Sequence, residues 1–517
     1  MNRKIIIALI AIIAIIGIGL YAFTNTDSSS TSSVNIDASA LEDGANLIVD
    51  SESLEKNKIY YHTNSSDIKS VLVENGGSLK LLDSLINKTG DTQTSGDDAD
   101  FYGVNSAVLV NTNGTLEISN CEIITNSKGS NGIFVTNANA SGSGDSAQGG
   151  TGGQPPEANG SGEGQGEAGG QPPAMPDGGN GTGKSGQSPE GQGSGEGGQA
   201  PNGGGKPGET SVSGTTTANI KNVKITTHSD KSRGLDATYK GIINAENVVI
   251  NTDGQSCAAL ATDRGEGQVH VKNSEINTGV SKTSGRGSPL IYSTGNITAE
   301  NTHGTAYVSQ IACIEGKNSI ELTNCELTGY AEGNRKDGDD YVDLGGIFIY
   351  QSMSGDADVG TSLFTAVNSK LSIAEDSPVY KEAPMFHVTN TACVIDLENT
   401  ELSFGSTIFL QIAGQNQWGT TGSNGGTAEL NTNNEKIEGN VIVDSISSLN
   451  WTMKNTQFKG AVNSTGNTTV NVAEGSTWTL TGDSTVSSLT VSGEIDYGNY
   501  TLTVGDKTYN SSNPFKG

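Results

Sequence analysis

From Thr215 to Phe404 apolar and polar residues alternate in short runs, and each run is broken by a single asparagine. Ala218-Asn219-Ile220-Lys221-Asn222-Val223-Lys224-Ile225 sets the pattern. Ile243-Asn244-Ala245-Glu246-Asn247-Val248-Val249-Ile250 and Val269-His270-Val271-Lys272-Asn273-Ser274-Glu275-Ile276 repeat it. Ile320 to Leu327, centred on Asn324, and Ile395 to Leu402, centred on Asn399, repeat it again. From Asn222 through Asn247, Asn273 and Asn301 to Asn324 the steps are 25, 26, 28 and 23 residues. Strand-type alternation recurring every 20–30 residues or so is the mark of a solenoid.

Alternation places apolar side chains on one face of a strand. Asparagine tolerates the left-handed backbone of a sharp bend, and its amide can bond to the same residue one repeat away. The expected fold is all-β: a single-stranded right-handed parallel β-helix, with storeys about 4.8 Å apart and a long narrow core. An antiparallel sandwich with regular turns is the alternative. It is disfavoured because the fixed asparagine carries no Asn-Gly or Asp-Gly hairpin signal.

The N-terminus has a different pattern. After the basic Met1 to Lys4, Ile5 to Phe23 is apolar, with Gly17 and Gly19 as small breaks. Nineteen helical residues would span about 28 Å. About a dozen Ile, Leu and Phe favour insertion by roughly 4–7 kcal/mol in total. Residues 1–23 therefore read as a signal-anchor or signal peptide, with everything after Phe23 exported. Leu20 stands where cleavage wants a small residue, which favours the anchor. The protein is then held at the cell surface through residues 5–23, or secreted if they are removed.

The rest divides by composition. Residues 24–33 form a polar tether, and 34–137 hold the first coils, including Leu79 to Ile86, where Asp83 replaces the asparagine, and Leu116 to Ile123 around Asn120. Thr89 to Tyr102 reads as an Asp-rich polar loop. Residues 138–214 are Gly, Ser, Gln, Pro and Glu with little to bury, a disordered insertion into one solenoid. Residues 215–438 form the main coils. Each has a second apolar run after a small residue, as in Gly234-Leu235-Asp236-Ala237 and Gly346-Ile347-Phe348-Ile349-Tyr350. Residues 439–517 hold terminal coils and a cap.

The coils with their asparagine bends resemble exported right-handed β-helix proteins of the pectin-lyase-like superfamily. The Ile-rich anchor and Asn/Thr-rich coils are similar to adhesin-like surface proteins of methanogenic archaea and Gram-positive bacteria. The resemblance covers most of Val34 to Val504. It implies either a non-catalytic adhesin or structural protein binding glycan or envelope partners, or a polysaccharide lyase or glycoside hydrolase. It is one of architecture and carries no catalytic residue over. Asn251-Thr252-Asp253-Gly254 resembles the first polygalacturonase motif, but the motifs that should follow are missing, and one aspartate cannot serve as both carboxylates.

Net charge narrows the partners: −28, from 57 Asp plus Glu against 29 Lys plus Arg. Nucleic acid and other polyanions are repelled. Five cysteines without paired spacing predict neither a disulfide framework nor a zinc site. Cys121 and Cys325 share one repeat phase, which suits a small packing residue. Asp337, Asp339, Asp340 and Asp343 form the densest carboxylate cluster, a candidate Ca²⁺ site with spacing unlike an EF-hand. Asp97, Asp98 and Asp100 are a weaker group. No other cofactor is expected. Asp236 with Arg233 and Lys240, and Asp263 with Arg264, fall on adjacent coils and read first as surface ion pairs. Trp418, Trp451 and Trp478 are weighed as sugar-stacking aromatics against core or cap packing.

Overall fold

The computed structural model describes residues 34, 36–94, 96–138, 213–283, 285–333, 335–337 and 340–516. The expected membrane segment 5–23, the tether 24–33 and the inserted residues 139–212 lie outside them. Among the described residues no helix is long and apolar enough to cross a membrane.

The predicted bend is present at every asparagine that the pattern picked out. Asn120, Asn222, Asn247, Asn273, Asn301, Asn324, Asn399 and Asn455 all have φ between 47° and 56°, and Asp83 joins them at 47°. Most of these bends separate two short strands, such as Ile242–Glu246 and Val249–Thr252, while those at Asn120 and Asn222 fall inside the longer strands Thr115–Asn126 and Thr217–Thr227. A third strand, Leu260–Thr262, follows before the chain enters the next storey at Gln268–Lys272. Storeys pair in parallel and in register: Ile243 lies beside Val269, and Ile250 beside Ile276. The strands flanking most bends belong to one 23-stranded sheet, those after Asn434 and Asn455 (Lys436–Glu438 and Gln457–Lys459) to a separate four-stranded sheet, and the third strands form a 16-stranded sheet running from Leu47–Asp50 to Lys507–Tyr509. This is a parallel β-helix.

Inward positions are filled by Ile, Val, Leu and Ala, all buried. From Phe364 onward aromatic rings take over part of that column. Phe364, Phe386, Phe409, Trp451, Phe458 and Trp478 follow one another with centroids 4.7–6.0 Å apart. Trp451 and Trp478 are therefore core residues. The final strand, Lys507–Tyr509, folds back antiparallel on Leu502–Val504, with Phe515 packed edge-on against Tyr509.

The stack is continuous across the insertion. Thr115–Asn126 pairs directly with Thr217–Thr227, Thr115 beside Thr217 and Ile123 beside Ile225. Where the chain leaves and re-enters, Thr216 Oγ1 donates to Asn137 Oδ1 (2.8 Å) and Asn137 Nδ2 to the Gly214 carbonyl (3.2 Å).

One local expectation is corrected. The polar loop Thr89 to Tyr102 contains a helix, Gly96–Tyr102, called α1 below. Its last turn ends in Phe101 and Tyr102, which give it an apolar side to lay against the stack.

Candidate functional site

The strands of the 16-stranded sheet show how the site arises. Leu235–Thr238, Ile347–Tyr350 and Phe386–Thr389 are buried at every position, on both faces. Such double burial requires a cover over the outward side. The bend into these strands is tight: a Cβ on Gly234 would meet the Ala259 carbonyl oxygen at 2.6 Å. In-register pairing then lines up the outward side chains Asp236, Ala261, Tyr292, Cys313, Phe348 and His387 in one row.

Arg233 is the hub at one end of the row. Its Nη1 lies 3.2 Å from Asp236 Oδ2 and 3.4 Å from Asp100 Oδ1 of α1, and its Nη2 donates to Asp263 Oδ2 at 2.8 Å. Arg264 donates its backbone N–H to Asp263 Oδ1 (3.1 Å) and its guanidinium to Asp356 Oδ1. The surface-pair expectation is thus corrected. Asp236 is 0 % exposed, Asp263 5 % and Arg233 9 %, and Lys240 stands exposed outside the group. The side chain of Arg264 serves Asp356 rather than Asp263. Burial pushes both Asp236 and Asp263 above the usual carboxylate range, with Arg233 opposing the shift and Asp100 adding to it. Asp236 Oδ1 is buried, and among the described residues no group hydrogen-bonds to it.

Farther along, Glu315 is the second buried carboxylate centre. It accepts from Tyr292 OH (2.9 Å), Tyr350 OH (3.0 Å) and Ser352 Oγ. Burial raises its pKa, and these three donors oppose the rise. His387 Nδ1–H donates to the Leu344 carbonyl (2.8 Å), and its Nε2 accepts from the Gln415 side-chain amide (2.9 Å). Burial lowers it to about 4, so it is neutral at ordinary pH. Trp418, half-buried, tilts over Tyr350 at 4.8 Å and donates to Asp343 Oδ1 at 2.8 Å.

The aspartates of the candidate Ca²⁺ cluster fall in different places. Asp337 and Asp340 are cross-strand partners in the antiparallel ribbon Arg335–Asp337 and Asp340–Val342. Asp339 lies outside the described residues. Asp343 is fully buried and engaged by Trp418, and its carbonyl accepts from Gln310 Nε2 at 2.8 Å. Among the described residues no group of three or more His, Cys, Asp or Glu is placed to hold a metal ion. Asp100 of the weaker acidic group is the member that reaches the row.

Sequence reasoning singled out Arg233, Asp236, Asp263 and Arg264, and named Asp100 only within a separate acidic group; it did not single out Tyr292, Glu315, Tyr350 or Asp356. The apolar runs containing Asp236, Tyr292 and Tyr350 were visible. A polar residue inside such a run was the available signal that the outward face is covered.

Chemically, the row and the groups packed beside it bring together carboxylates and phenols, most of whose polar atoms are met by the chain's own groups. No family model matches this chain, and no curated protein is similar to it.

Proposed function

We propose that this chain is an exported, surface-held β-helix protein that binds glycan or other envelope polymers by many weak contacts and carries out no catalysis. The observation that supports it most is the regularity of an outward polar row. Thr226, Asn251, Asn277, Thr305, Thr328, Ser372 and Ser403 lie side by side on successive storeys. Seven hydroxyl or amide groups at about 4.8 Å intervals give roughly 29 Å of uncharged hydrogen-bonding surface. A repeating polymer can meet such a row at several points at once, and linked weak contacts add up steeply. The overall charge of −28 directs the choice to neutral or cationic polymers.

Co-sedimentation with insoluble polysaccharides and isolated cell-envelope material tests this. Retention should weaken when Asn251 and Asn277 are both changed to Asp. Failure to sediment with any of these materials would contradict the proposal.

Polysaccharide cleavage is the second reading, and one observation favours it: Asp236 and Asp263, from adjacent storeys, meet at Arg233. It ranks second because three of the four carboxylate oxygens are held by Arg233 and the Arg264 amide beneath a cover. A reducing-sugar and unsaturated-product assay decides. Turnover that Asp236→Asn or Asp263→Asn abolishes would reverse the order.

A further inference from the structure

The Arg233 cluster contains more acid than base. Arg233 and Arg264 face Asp100, Asp236, Asp263 and Asp356, with Lys231 at the rim, 3.7 Å from Asp100 Oδ2. Tyr292, on the next strand of the row, is a titratable neighbour of Asp263 and Arg233, Cys257 is one of Arg233, and Tyr239 is one of Arg264. These groups come from three strands of the 16-stranded sheet and their ends, from α1 and from one loop. Arg233, Asp236, Asp263 and Arg264 stand at the sheet, Asp100 is on α1, Asp356 is on the loop after Ile347–Tyr350, and Tyr292 is on Ile291–Ser293.

Helix α1 is fastened at this point. Besides Asp100, it receives a hydrogen bond from Thr238 Oγ1 to the Phe101 carbonyl (2.8 Å). The Arg264 guanidinium sits 3.7 Å from the Phe101 ring centroid, and Tyr102 stacks on Tyr239 at 5.5 Å. Arg264 is thus held between α1 and Asp356, and Arg233 between α1 and the two sheet aspartates. Asp100, Asp236 and Asp263 share one guanidinium, and Asp236 Oδ1 is buried with no hydrogen-bond partner among the described residues. A buried, unpartnered carboxylate oxygen beside like charges is costly when ionised and acceptable when protonated.

We propose that α1 is a proton-operated cover: it stays docked while the Asp236–Asp263 pair keeps a proton, and loosens when that proton leaves. The link is reciprocal. Docking brings Asp100 up to the pair and disfavours ionisation, so ionisation in turn disfavours docking. The sign follows from the upward shift. A carboxyl that holds its proton more tightly in the docked state favours docking at low pH, and the preference fades as pH rises through the docked-state titration. Each pKa unit of difference between docked and free states is worth about tenfold in the docking equilibrium. Loosening would uncover Arg233, Asp236 and Asp263.

Amide hydrogen exchange on the full chain, corrected for intrinsic rates, reads this directly. Protection of residues 98–104 should fall about tenfold or more between pH 5 and pH 8, while Val108–Asn111, in the adjoining sheet, stays unchanged as an internal reference. Asp236→Asn, which supplies an uncharged side chain, should keep α1 protected across the range. Asp263→Asn is the second variant should the first misfold, and near-ultraviolet circular dichroism reports folding of each. Asp100→Asn should lower protection of α1 at pH 5, where the ion pair with Arg233 is lost, and should flatten the pH response, because the charge that opposes ionisation of the pair is gone. Protection of α1 that does not change with pH in the unmodified chain would overturn the proposal. So would a fall shared equally by Val108–Asn111, or a full pH response retained in a folded Asp236→Asn or Asp263→Asn variant.

Discussion

Asn247 donates its side-chain amide to Oδ1 of Asn222, 3.2 Å away on the preceding storey. Its own backbone N–H donates to the carbonyl of Lys272 on the following one, at 3.1 Å. One residue therefore turns the chain and ties three storeys together. Side-chain rungs of this kind run from Asp83 through Asn120 and Asn222 to Asn247, join Asn273 to Asn301, and link Asn368, Asn399 and Asn434.

Asn247→Ala should lower stability by about 1–2 kcal/mol, since it removes the rung and puts a Cβ without compensating bonds at φ 55°. Asn247→Gly keeps the backbone unstrained and loses only the rung, so it should fall between the two. Denaturant midpoints of the three proteins measure this. Equal midpoints for Asn247→Ala and the unmodified chain would remove the stabilising role of the rung.

How much of this was legible in the residues differs between bend and site. The bend admits few solutions, because a one-residue corner at positive φ with a partner above and below favours asparagine. That is why Asn222, Asn247 and Asn273 could be read directly, and why Asp83 could be read as their substitute. The outward row obeys no such rule. Asp100 reaches Arg233 from 133 residues away, and Glu315 meets Tyr350 from 35 residues away. Those pairings depend on which loop folds back over which storey, and no periodicity records that. The helix at Gly96–Tyr102 escaped for a related reason: a seven-residue helix shows too few turns for its period to stand out.

Glu435 occupies the buried place after a bend where other storeys have Ser, Thr, Cys or Val. Its Oε1 accepts from the Thr400 N–H at 2.7 Å, and its Oε2 is buried without a partner. Burial raises its pKa to about 7. The folded state thus keeps a proton that the unfolded chain gives up nearer 4.5, and stability should decline as pH rises from about 4.5 to 7. Glu435→Gln retains an acceptor for Thr400 and carries no charge. Its melting temperature should match the unmodified protein at pH 4.5 and exceed it at pH 8; a difference of the same size at both values would contradict this.

All five cysteines are free and buried. Burial pushes Cys121, Cys257 and Cys393 up to about 12 and Cys325 to about 11, and raises Cys313 as well. Thiolate, the reactive form, is therefore scarce and inaccessible. A thiol-reactive chromophore should titrate close to zero groups in the native protein and five in denaturant. Fast reaction of any group in the native protein would show that its storey opens.

Trp451 stands mid-column between Phe409 and Phe458, and its Nε1 donates to Thr432 Oγ1 at 3.1 Å. Trp451→Ala should cost about 3–5 kcal/mol through the cavity it leaves. Trp451→Phe should cost less, because it leaves a smaller void and loses one hydrogen bond. Thermal unfolding followed by circular dichroism measures both, and a negligible loss for Trp451→Ala would place the residue outside the load-carrying core.

Parallel in-register stacking is tested most directly by engineered cross-links. Lys221 and Glu246 are lateral partners on adjacent storeys, and Lys272 is the partner of Glu246 one storey farther on. Adjacent storeys stand about 4.8 Å apart, within disulfide reach, and alternate ones about 9.6 Å apart, beyond it. Under mild oxidation the pair Lys221→Cys with Glu246→Cys should form an intramolecular disulfide, identified by mass spectrometry of the digest. Lys221→Cys with Lys272→Cys should stay reduced. A bridge in the second pair and none in the first would contradict the stacked parallel helix.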